Sequence, residues 1–357
     1  AKLMASNPSE RTICARLMND RFALCLPREE FDEKRVADSV KELQREFSGN
    51  SFHLHTYMGV YEIRDRYEAV SIMVDKANIA ADTIKNNYDC CVAYYDEHLL
   101  EISIEQRRLL GEFEPALQKG EFVMYLQPQV NRDGAAKGAE ALVRWAHPSR
   151  GILTPYAFID ILENAGLIYK LDLYIWEKAA QKLAEWKEKG YGSYHISVNI
   201  STKDFYIIDI YETFPGLINK YGIAASNLHL EITETTLMTD FEKNMNIIHK
   251  LQGVGFRVEI DDFGSGYSSL NMLKDISADV LKIDMGFLRK SENEVKGQDI
   301  LESIITLAGK IGMDVITEGV ETKKQLDMLT MMGCHEFQGY YFSKPVPVSE
   351  FEEKYLV

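Results

Sequence analysis

The sequence has few cysteines, no long apolar run and no recognisable leader. Its five cysteines are odd in number and form no Cys-x-x-Cys pair, which argues against a disulfide framework or a zinc knuckle and favours a reducing compartment. No uncharged apolar stretch reaches the length of about 18 residues that a membrane span needs. The chain begins at Ala1 and enters patterned sequence almost at once. We therefore expect a cytoplasmic protein, or the cytoplasmic part of a longer, membrane-tethered one.

Positive charge is also scarce. Against 55 Asp+Glu there are 40 Lys+Arg, a formal net charge of -15. No extended basic patch is available to displace counterions, so polymeric nucleic acid is excluded as the expected partner. A small phosphate ligand held through metal ions remains compatible, because metal ions reverse the local charge balance.

The length and composition predict two folded parts. The chain has 357 residues, of which 46% are hydrophobic and 27% charged, so it has enough apolar residues for a sizeable core. We place the boundary near residue 100, giving domains over residues 1–100 and 101–357, with a connecting helix over 101–121. In the first part, alternation over Phe52–Val60 predicts a strand, and helical patterns flank it at Glu33–Phe47 and Glu68–Lys85.

The second part contains eight β-rich runs, most of them separated by helical patterns. The runs are Phe122–Val130, Ala139–Trp145, His195–Ser201, Leu228–Thr233, Arg257–Phe263, Val280–Met285, Val315–Val320 and Phe337–Phe342. Alternating strands and helices predict a parallel β/α barrel. Only Asn131–Gly138 separates the first two runs, whereas a helical crossover needs about 10–12 residues. The predicted fold is therefore α/β, a TIM-like (β/α)8 barrel with a reversed first strand, preceded by a partial α+β domain.

Polar residues stand in or at the ends of these runs. They are Gln127, Glu140, Asn199, Glu231, Asp261, Asp262, Lys282, Asp284, Glu318 and Gln338. In a β/α barrel the carboxyl ends of the strands converge on one cavity, so we expect these side chains to meet there. A single member could instead be a helix cap or a surface carboxylate, and Glu140 could pair with Arg144. Because all eight runs carry polar residues in this way, one shared site is favoured over unrelated single positions.

Converging carboxylates repel one another unless cations pair with them. Oxygen ligands without His or Cys select hard ions, Mg²⁺ or Mn²⁺. The adjacent carboxylates Asp261 and Asp262 could bridge two such ions. Two ions about 3.5–4 Å apart suit in-line displacement at phosphorus, because one activates the attacking water and the other stabilises the leaving oxygen.

Local motifs resemble the EAL domain of cyclic di-GMP phosphodiesterases. The resemblance covers roughly residues 105–357, in family order. It is carried by Tyr125–Val130, Glu140–Trp145 with His147-Pro148, Val198–Ser201, Glu231–Glu234, Asp261–Ser269, Lys282–Asp284, Glu318–Glu321 and Gln338–Tyr340. It implies hydrolysis of one phosphodiester of cyclic di-GMP, giving the linear dinucleotide pGpG through a water activated by two metal ions, Mg²⁺ or Mn²⁺.

The resemblance also assigns roles to residues of this sequence. Metal-ligand positions are Glu140, Asn199, Glu231, Asp261, Asp262 and Glu318; catalytic positions are Lys282, Glu318, Asp262 and Glu234; substrate-binding positions are Gln127, Arg144, Leu142, Gln338 and Glu321. Lys282 matches the lysine that touches the nucleophilic water and the phosphate. Glu234 matches the glutamate that braces the loop Phe263–Ser269, through which the family often dimerises. A homodimer through this loop is therefore expected.

Two departures from the family pattern stand close to this set. Ser265 replaces a usual Thr but keeps the hydroxyl group, so we expect little loss. Thr317 replaces a common Ala beside Glu318, where its β-branch and hydroxyl could alter the orientation of that carboxylate. Neither departure removes a ligand.

The first hundred residues are similar to the second half of a GGDEF cyclase domain. The similarity is carried by Arg16–Pro27, Thr56–Val60 and Ala77–Ala80. The family's leading portion, with its metal-binding Asp, has no counterpart. Met18 and Asn19 replace two hairpin glycines, so side chains intrude where the backbone must approach a triphosphate closely, and Arg21 replaces a carboxylate. The family's Arg-x-x-Asp inhibitory motif is also absent from the residues after Arg11. We expect a degenerate platform without cyclase activity.

Alternatives remain open at this point. A catalytically silent receptor that binds cyclic di-GMP and signals to a protein partner ranks second, because receptors of this fold usually lack several ligands and this sequence lacks none. A scaffold with a vestigial barrel ranks third. His53 and His55 share one strand face and could ligate metal, but no third ligand is identifiable, so ordinary histidines are favoured. The three tryptophans are expected to pack in the core.

Overall fold

The computed structural model describes residues 11–18, 20–34, 38, 56–85, 91–264, 276–286 and 294–356. The chain divides into two compact units, Ala1–Leu109 and Leu110–Val357. The division falls inside the helix Glu97–Lys119, which overlaps the connecting helix expected over 101–121.

The described residues of the first unit form two small sheets. Strands β1 (Ile13–Arg16) and β2 (Phe22–Cys25) form an antiparallel hairpin, while β3 (Met58–Val60) and β4 (Val92–Tyr94) run parallel. The helix Val70–Asp82 lies against β3 so closely that a Cβ atom at Gly59 would stand 1.8 Å from the carbonyl oxygen of Ala77. Glycine is therefore required at this strand position. Of the predicted segments here, residues 52–55 and most of 33–47 lie outside the described residues, as do His53 and His55.

The second unit is a closed barrel of eight strands, which confirms the predicted fold class. The barrel strands are β5 (Phe122–Val130), β6 (Ala136–His147), β8 (His195–Ile200), β9 (Leu228–Thr233), β10 (Arg257–Phe263), β11 (Val280–Asp284), β12 (Asp314–Glu318) and β13 (Glu336–Phe337); β7 (Gly151–Leu153) and β14 (Val346–Pro347) add short edges. Pairing of β5 with both β6 and β13 closes the ring.

Strand β5 runs antiparallel to both of its barrel neighbours, whereas β6 and the strands from β8 to β13 run parallel to one another. The turn between β5 and β6 is held by the side-chain oxygen of Asn131, which accepts from the backbone N–H groups of Asp133 and Ala135. Gly134 adopts φ 83°, a conformation that favours glycine. The reversed first strand therefore follows from turn chemistry in a segment too short for a helix.

The eighth predicted run is longer than its strand. Strand β13 ends at Phe337, although the apolar pattern continues to Phe342. Beyond Phe337 the backbone pairs with Val320 instead of a strand: Val320 N–H donates to the carbonyl of Gln338, and Tyr341 N–H donates to the carbonyl of Val320. The chain thus leaves the sheet where Gln338 reaches the barrel opening.

Helices pack against the barrel strands. Those that lie in the described residues of the second unit are Ile159–Ala165, Ile168–Glu188, Asp204–Ile207, Ile210–Tyr221, Glu234–Thr239, Phe241–Val254, Glu294–Lys310, Lys323–Met331 and Val348–Tyr355, together with residues 110–119 of the helix Glu97–Lys119. Trp145, Trp176 and Trp186 are fully buried, as expected of packing residues. Within the described part of the chain, no helix combines the length and apolar character that crossing a membrane requires.

Candidate active site at the carboxyl end of the barrel

Polar side chains from eight consecutive positions around the barrel meet at one end. The strands place Gln127 on β5, Glu140 on β6, Asn199 on β8, Glu231 on β9, Asp261 on β10, Lys282 on β11, Glu318 on β12 and Gln338 just after β13. Because successive side chains on a strand alternate between faces, the inward position near the carboxyl end of each parallel strand reaches the same cavity. The sequence prediction that these residues converge agrees with the contacts below.

Lys282 stands at the centre of the site. Its Nζ lies 2.9 Å from Glu318 Oε1, 3.0 Å from Glu231 Oε1, 3.2 Å from Asp261 Oδ1 and 3.5 Å from Glu140 Oε2. Burial alone would lower the pKa of this fully buried lysine, but the four carboxylates raise it well above its ordinary value. The ammonium group is therefore charged at any physiological pH.

Three amide side chains fix the orientation of Glu140 and its surroundings. Asn199 Nδ2 donates to Glu140 Oε1 over 3.2 Å, and Gln338 Nε2 donates to Glu140 Oε2 over 2.5 Å. Gln338 Nε2 also lies 3.3 Å from Gln127 Oε1, while Gln127 Nε2 donates to the carbonyl of Ser343 over 3.4 Å. Of the two predicted substrate-binding glutamines, Gln338 thus contacts Glu140 directly, and Gln127 is joined to it through Gln338.

Leu142 and Arg144 follow Glu140 at every second position of β6 and so lie on the same strand face, further towards the barrel mouth. The guanidinium of Arg144 lies 5.4 Å from the centre of the Tyr125 ring and donates to the carbonyl of Val143 over 2.7 Å. The alternative ion pair of Arg144 with Glu140 is not formed. The sequence alone assigned no role to Tyr125. Its position two residues before Gln127 puts both residues on one face of β5 and could have indicated such a role.

A β-bulge brings two adjacent carboxylates to the same rim. Strand β10 pairs Ile260 with Leu281 but Phe263 with Ile283, so one extra residue is accommodated between them. Asp262 has φ 56°, the left-handed region that an ordinary strand residue avoids. Burial, the neighbouring charge of Asp261 and that of Asp284 raise the pKa of Asp262. The bulge thus gives Asp262 a backbone conformation that a regular strand residue lacks, and its carboxylate feels the charges of Asp261, Asp284 and Glu140.

The donor set fits hard divalent cations. Glu231 is fully buried, and its Oε2 has no hydrogen-bond partner among the described residues. Burial and the charges of its neighbours raise the pKa of Glu231, and burial raises the pKa of Glu318 to about 8. Four carboxylates around one ammonium group leave an excess of negative charge, and all the other donors are oxygen or amide groups. Such a site suits Mg²⁺ or Mn²⁺.

Thr317 does not disturb Glu318. The threonine is fully buried, and its hydroxyl lies 3.5 Å from the sulfur of Cys334. Adjacent strand residues point to opposite faces, so the side chain of Thr317 packs outside the barrel while Glu318 faces in. The departure from the family pattern is thus accommodated away from the site.

The remaining predicted residues are placed less centrally. Glu234 is buried and begins the helix Glu234–Thr239, directly after β9. Residues 265–269 of the loop Phe263–Ser269 lie outside the described residues, so its bracing by Glu234 stays a prediction. Glu321 is exposed, and its backbone N–H donates to the side chain of Gln325.

The fold and the site together define an α/β barrel with an acidic, lysine-centred site at its carboxyl end. The EAL domain model matches residues 111–345. The chain belongs to the EAL domain family.

Two similar proteins and one solved structure illustrate this membership. The chain is 30% identical over 360 residues to the bifunctional diguanylate cyclase/cyclic di-GMP phosphodiesterase MucR of Pseudomonas aeruginosa, covering 98% of this chain and 52% of MucR. It is 32% identical over 261 residues to the cyclic di-GMP phosphodiesterase NbdA of the same organism, covering 73% and 33%. The solved PaMucR phosphodiesterase in complex with c-di-GMP aligns with a TM-score of 0.65 at 33% identity, covering 68% of this chain and 99% of that one. This chain thus spans about half of MucR and about a third of NbdA.

Proposed function

We propose that this protein is a metal-dependent phosphodiesterase that hydrolyses cyclic di-GMP to linear pGpG. The observation that carries the proposal is the ring of four carboxylates around the buried ammonium of Lys282, to which Asn199 is joined through Glu140. The relatives NbdA and MucR are named as cyclic di-GMP phosphodiesterases, and the solved PaMucR phosphodiesterase holds c-di-GMP. These names support the choice of substrate.

The residues of the site have different proposed roles. Glu140, Asn199, Glu231, Asp261, Asp262 and Glu318 would hold two Mg²⁺ or Mn²⁺ ions. When bound, such ions supply an acidified water and positive charge for the phosphate. Lys282, held charged by its neighbours, donates hydrogen bonds to the attacking water and to a phosphate oxygen. Its contacts with four carboxylates fix the position of the ammonium group.

The substrate-binding proposal rests on polar groups that adjoin the carboxylates of the same site. Gln338 Oε1 has no hydrogen-bond partner among the described residues and can accept from the N–H groups of a guanine edge. Arg144, positioned by the Tyr125 ring, offers a planar donor to a phosphate. Gln127, Leu142 and Glu321 would complete the contacts with the bases.

Hydrolysis is tested by incubating the purified chain with cyclic di-GMP and Mg²⁺ or Mn²⁺ and separating the nucleotides by chromatography. We expect pGpG from the unaltered chain and none from Glu140→Ala, because that substitution removes a ligand and the partner of Asn199, Gln338 and Lys282. Glu353→Ala, at an exposed position of the last helix, is the matched control and should retain activity. No linear product at any metal concentration, with substrate binding demonstrated, rejects the proposal.

The alternative is a receptor that binds cyclic di-GMP without hydrolysing it. Every ligand position that the resemblance assigned is filled by a side chain able to coordinate metal, which places hydrolysis first. Tight binding in chelator combined with no turnover in metal would favour the receptor instead.

For the first unit we propose a degenerate GGDEF-like platform over residues 1–100 that lacks cyclase activity, with the EAL barrel over 101–357. Support comes from the β1–β2 hairpin, whose turn contains Met18, and from the alignment with MucR over 98% of this chain. Asn19 lies outside the described residues. Incubation with GTP and Mg²⁺ should yield no cyclic di-GMP.

We also propose a homodimer through the loop Phe263–Ser269. The bulge at Asp261 and Asp262 leads directly into this loop, so a contact made by the loop would act on two of the carboxylates. Light scattering with and without cyclic di-GMP tests the dimer. Cytoplasmic location and membrane tethering stay predictions from the sequence.

A further inference from the structure

A second polar cluster lies below the carboxylates, towards the amino-terminal end of the barrel strands. It consists of His195, His229 and Glu259, and we call it the lower cluster. His229 and Glu259 precede Glu231 and Asp261 by two residues on their strands, so they face the same interior one layer down. All three side chains are buried.

The two imidazole rings are stacked, with centres 3.8 Å apart and planes 4° from parallel. His229 Nδ1 lies 2.5 Å from Glu259 Oε1, and its Nε2 lies 3.2 Å from the carbonyl of Ser226. His195 Nε2 lies 2.7 Å from the side-chain oxygen of Gln129. The contact with Glu259 holds His229 Nδ1 beside the carboxylate.

A cavity of about 560 Å³ opens onto the lower cluster from outside the barrel. Its lining includes Lys137 and Arg257, and each is already paired, Lys137 with Glu336 and Arg257 with Asp314 over 2.5 Å. The positive groups of the rim are thus neutralised locally, which disfavours an anionic ligand. The cavity gives a small cation a path to the two histidines.

One ligand atom in the cluster lacks a partner. Glu259 is fully buried, yet its Oε2 accepts no hydrogen bond from the described residues. An unpartnered carboxylate oxygen in the interior is costly, and a bound cation would satisfy it.

We propose that His195, His229 and Glu259 bind one transition-metal ion of the Zn²⁺ class, at a site separate from the carboxylates around Lys282. Two imidazoles and a carboxylate select borderline ions, whereas Mg²⁺ takes oxygen ligands. One ligand atom from each residue lies within 4.8 Å of the other two. Atoms bonded to tetrahedral zinc lie about 3.3 Å apart and nitrogen lone pairs lie in the plane of each ring, so binding requires the rings to tilt out of their parallel stack. The fourth position faces the cavity.

The site has a structural consequence that does not depend on catalysis. Its three ligands come from the adjacent strands β8, β9 and β10, so a bound ion ties these strands together at the end of the barrel opposite the proposed active site. A ligand that binds only the folded state stabilises it by mass action. Zinc should therefore raise the unfolding temperature whether or not the protein hydrolyses cyclic di-GMP.

The test uses Co²⁺ as a spectroscopic probe for zinc in the full chain, stripped with chelator and then kept in excess Mg²⁺ to occupy the hard-cation site. We expect one equivalent of Co²⁺ to bind, with visible absorption typical of four-coordinate cobalt, and Zn²⁺ to displace it. His195→Gln should abolish this absorption and the rise in unfolding temperature with zinc. Absence of the absorption in the unaltered chain would overturn the proposal.

Two controls locate the ion. The first control, Glu231→Gln, alters the carboxylates around Lys282. The second, His53→Gln combined with His55→Gln, removes the other candidate histidines. Both controls should leave the Co²⁺ absorption unchanged. If either control abolishes the absorption, or if His195→Gln retains it, the assignment is wrong. Should His195→Gln fail to fold, zinc-edge anomalous diffraction from zinc-soaked crystals of the unaltered chain decides. A peak between His195 and His229 supports the site, and no peak there rejects it.

Discussion

Lys282 shows how one residue sets the state of its neighbours. A buried ammonium group is costly, and so are buried carboxylates, but contact between Lys282 and the four carboxylates offsets part of both costs. Burial, and after it the charges of Asp261 and Glu140, keep a proton on Glu318 more tightly than water would. The pKa of Glu318 therefore reaches about 8 although Lys282 lies 2.9 Å away.

The pKa of Glu318 predicts that stability falls as pH rises from 6.5 to 8 in chelator. The folded state keeps a proton up to about pH 8 that the unfolded state releases near its ordinary value of 4.5. One such proton is worth about 1.4 kcal/mol per pH unit, so we expect a loss of about 1–2 kcal/mol over this range. Urea unfolding at several pH values measures it.

Two comparisons isolate this effect. His195, with its pKa lowered to about 3, adds stability only as pH rises to about 6.5 and is constant above that value. Glu318→Gln should therefore reduce the loss between pH 6.5 and 8 by about 1 kcal/mol, while Glu231 contributes in the same direction as Glu318. Added Mg²⁺ should flatten the profile. An equal loss in Glu318→Gln would contradict the assignment.

At the scale of a strand, the period of two builds two layers inside one barrel. Strands β8, β9 and β10 carry the lower cluster and, nearer their carboxyl ends, the upper residues: Glu231 and Asp261 follow His229 and Glu259 by two residues, and Asn199 follows His195 by four. The bulge in β10 breaks this period once, and the break lets Asp262 join Asp261 at the same end of the barrel.

The bulge predicts different stabilities for two substitutions at Asp262. Glycine adopts φ 56° freely, whereas alanine is strained there, so Asp262→Gly should be more stable than Asp262→Ala by about 1 kcal/mol. Both lack the carboxylate and should lose activity alike, by about 10- to 100-fold. Chemical unfolding and the hydrolysis assay measure the two quantities. Equal stabilities would show that the left-handed conformation is not held in solution.

At Thr317, on strand β12, we expect a substitution to change stability and leave activity unchanged. Because this side chain packs against Cys334 outside the barrel, Thr317→Ala should lower stability by about 1 kcal/mol and leave kcat and KM within about twofold. Glu318→Gln, one residue later and facing inward, serves as the contrasting variant and should lose activity. A large loss of activity in Thr317→Ala would mean that the threonine orients Glu318 after all.

At the scale of the whole molecule, the two units can be observed separately. All three tryptophans belong to the second unit and are fully buried, so tryptophan fluorescence reports the barrel alone, whereas circular dichroism reports both units.

Mg²⁺ should therefore raise the urea concentration at the midpoint of the fluorescence transition, which reports the barrel. The part of the circular-dichroism change that comes from the first unit should keep its midpoint. At about 100 times its dissociation constant, a ligand adds about 2.7 kcal/mol. The combined variant Glu231→Gln and Asp261→Asn is the control, and its midpoint should not respond to Mg²⁺. A fluorescence midpoint that ignores Mg²⁺ in the unaltered chain would place the ion elsewhere.

Much of the barrel could be predicted because its signals are local. The runs Phe122–Val130, Leu228–Thr233 and Arg257–Phe263 coincide with strands β5, β9 and β10, and the short segment after Val130 revealed the reversed strand. The eighth strand was predicted too long, because its end is decided by pairing with the distant Val320. The lower cluster was missed, because its histidines and glutamate read as ordinary interior positions until the strands are placed side by side.

The order and periodicity of residues determined the class of fold and the set of acidic groups at the strand ends, since both depend on backbone geometry that repeats along each segment. Only the closed barrel decided which groups meet: that Lys282 contacts four carboxylates from four other strands, that Thr317 faces away, and that Asp262 turns through a bulge. Distances between side chains on different strands are set by register and closure, which no single segment of the sequence specifies.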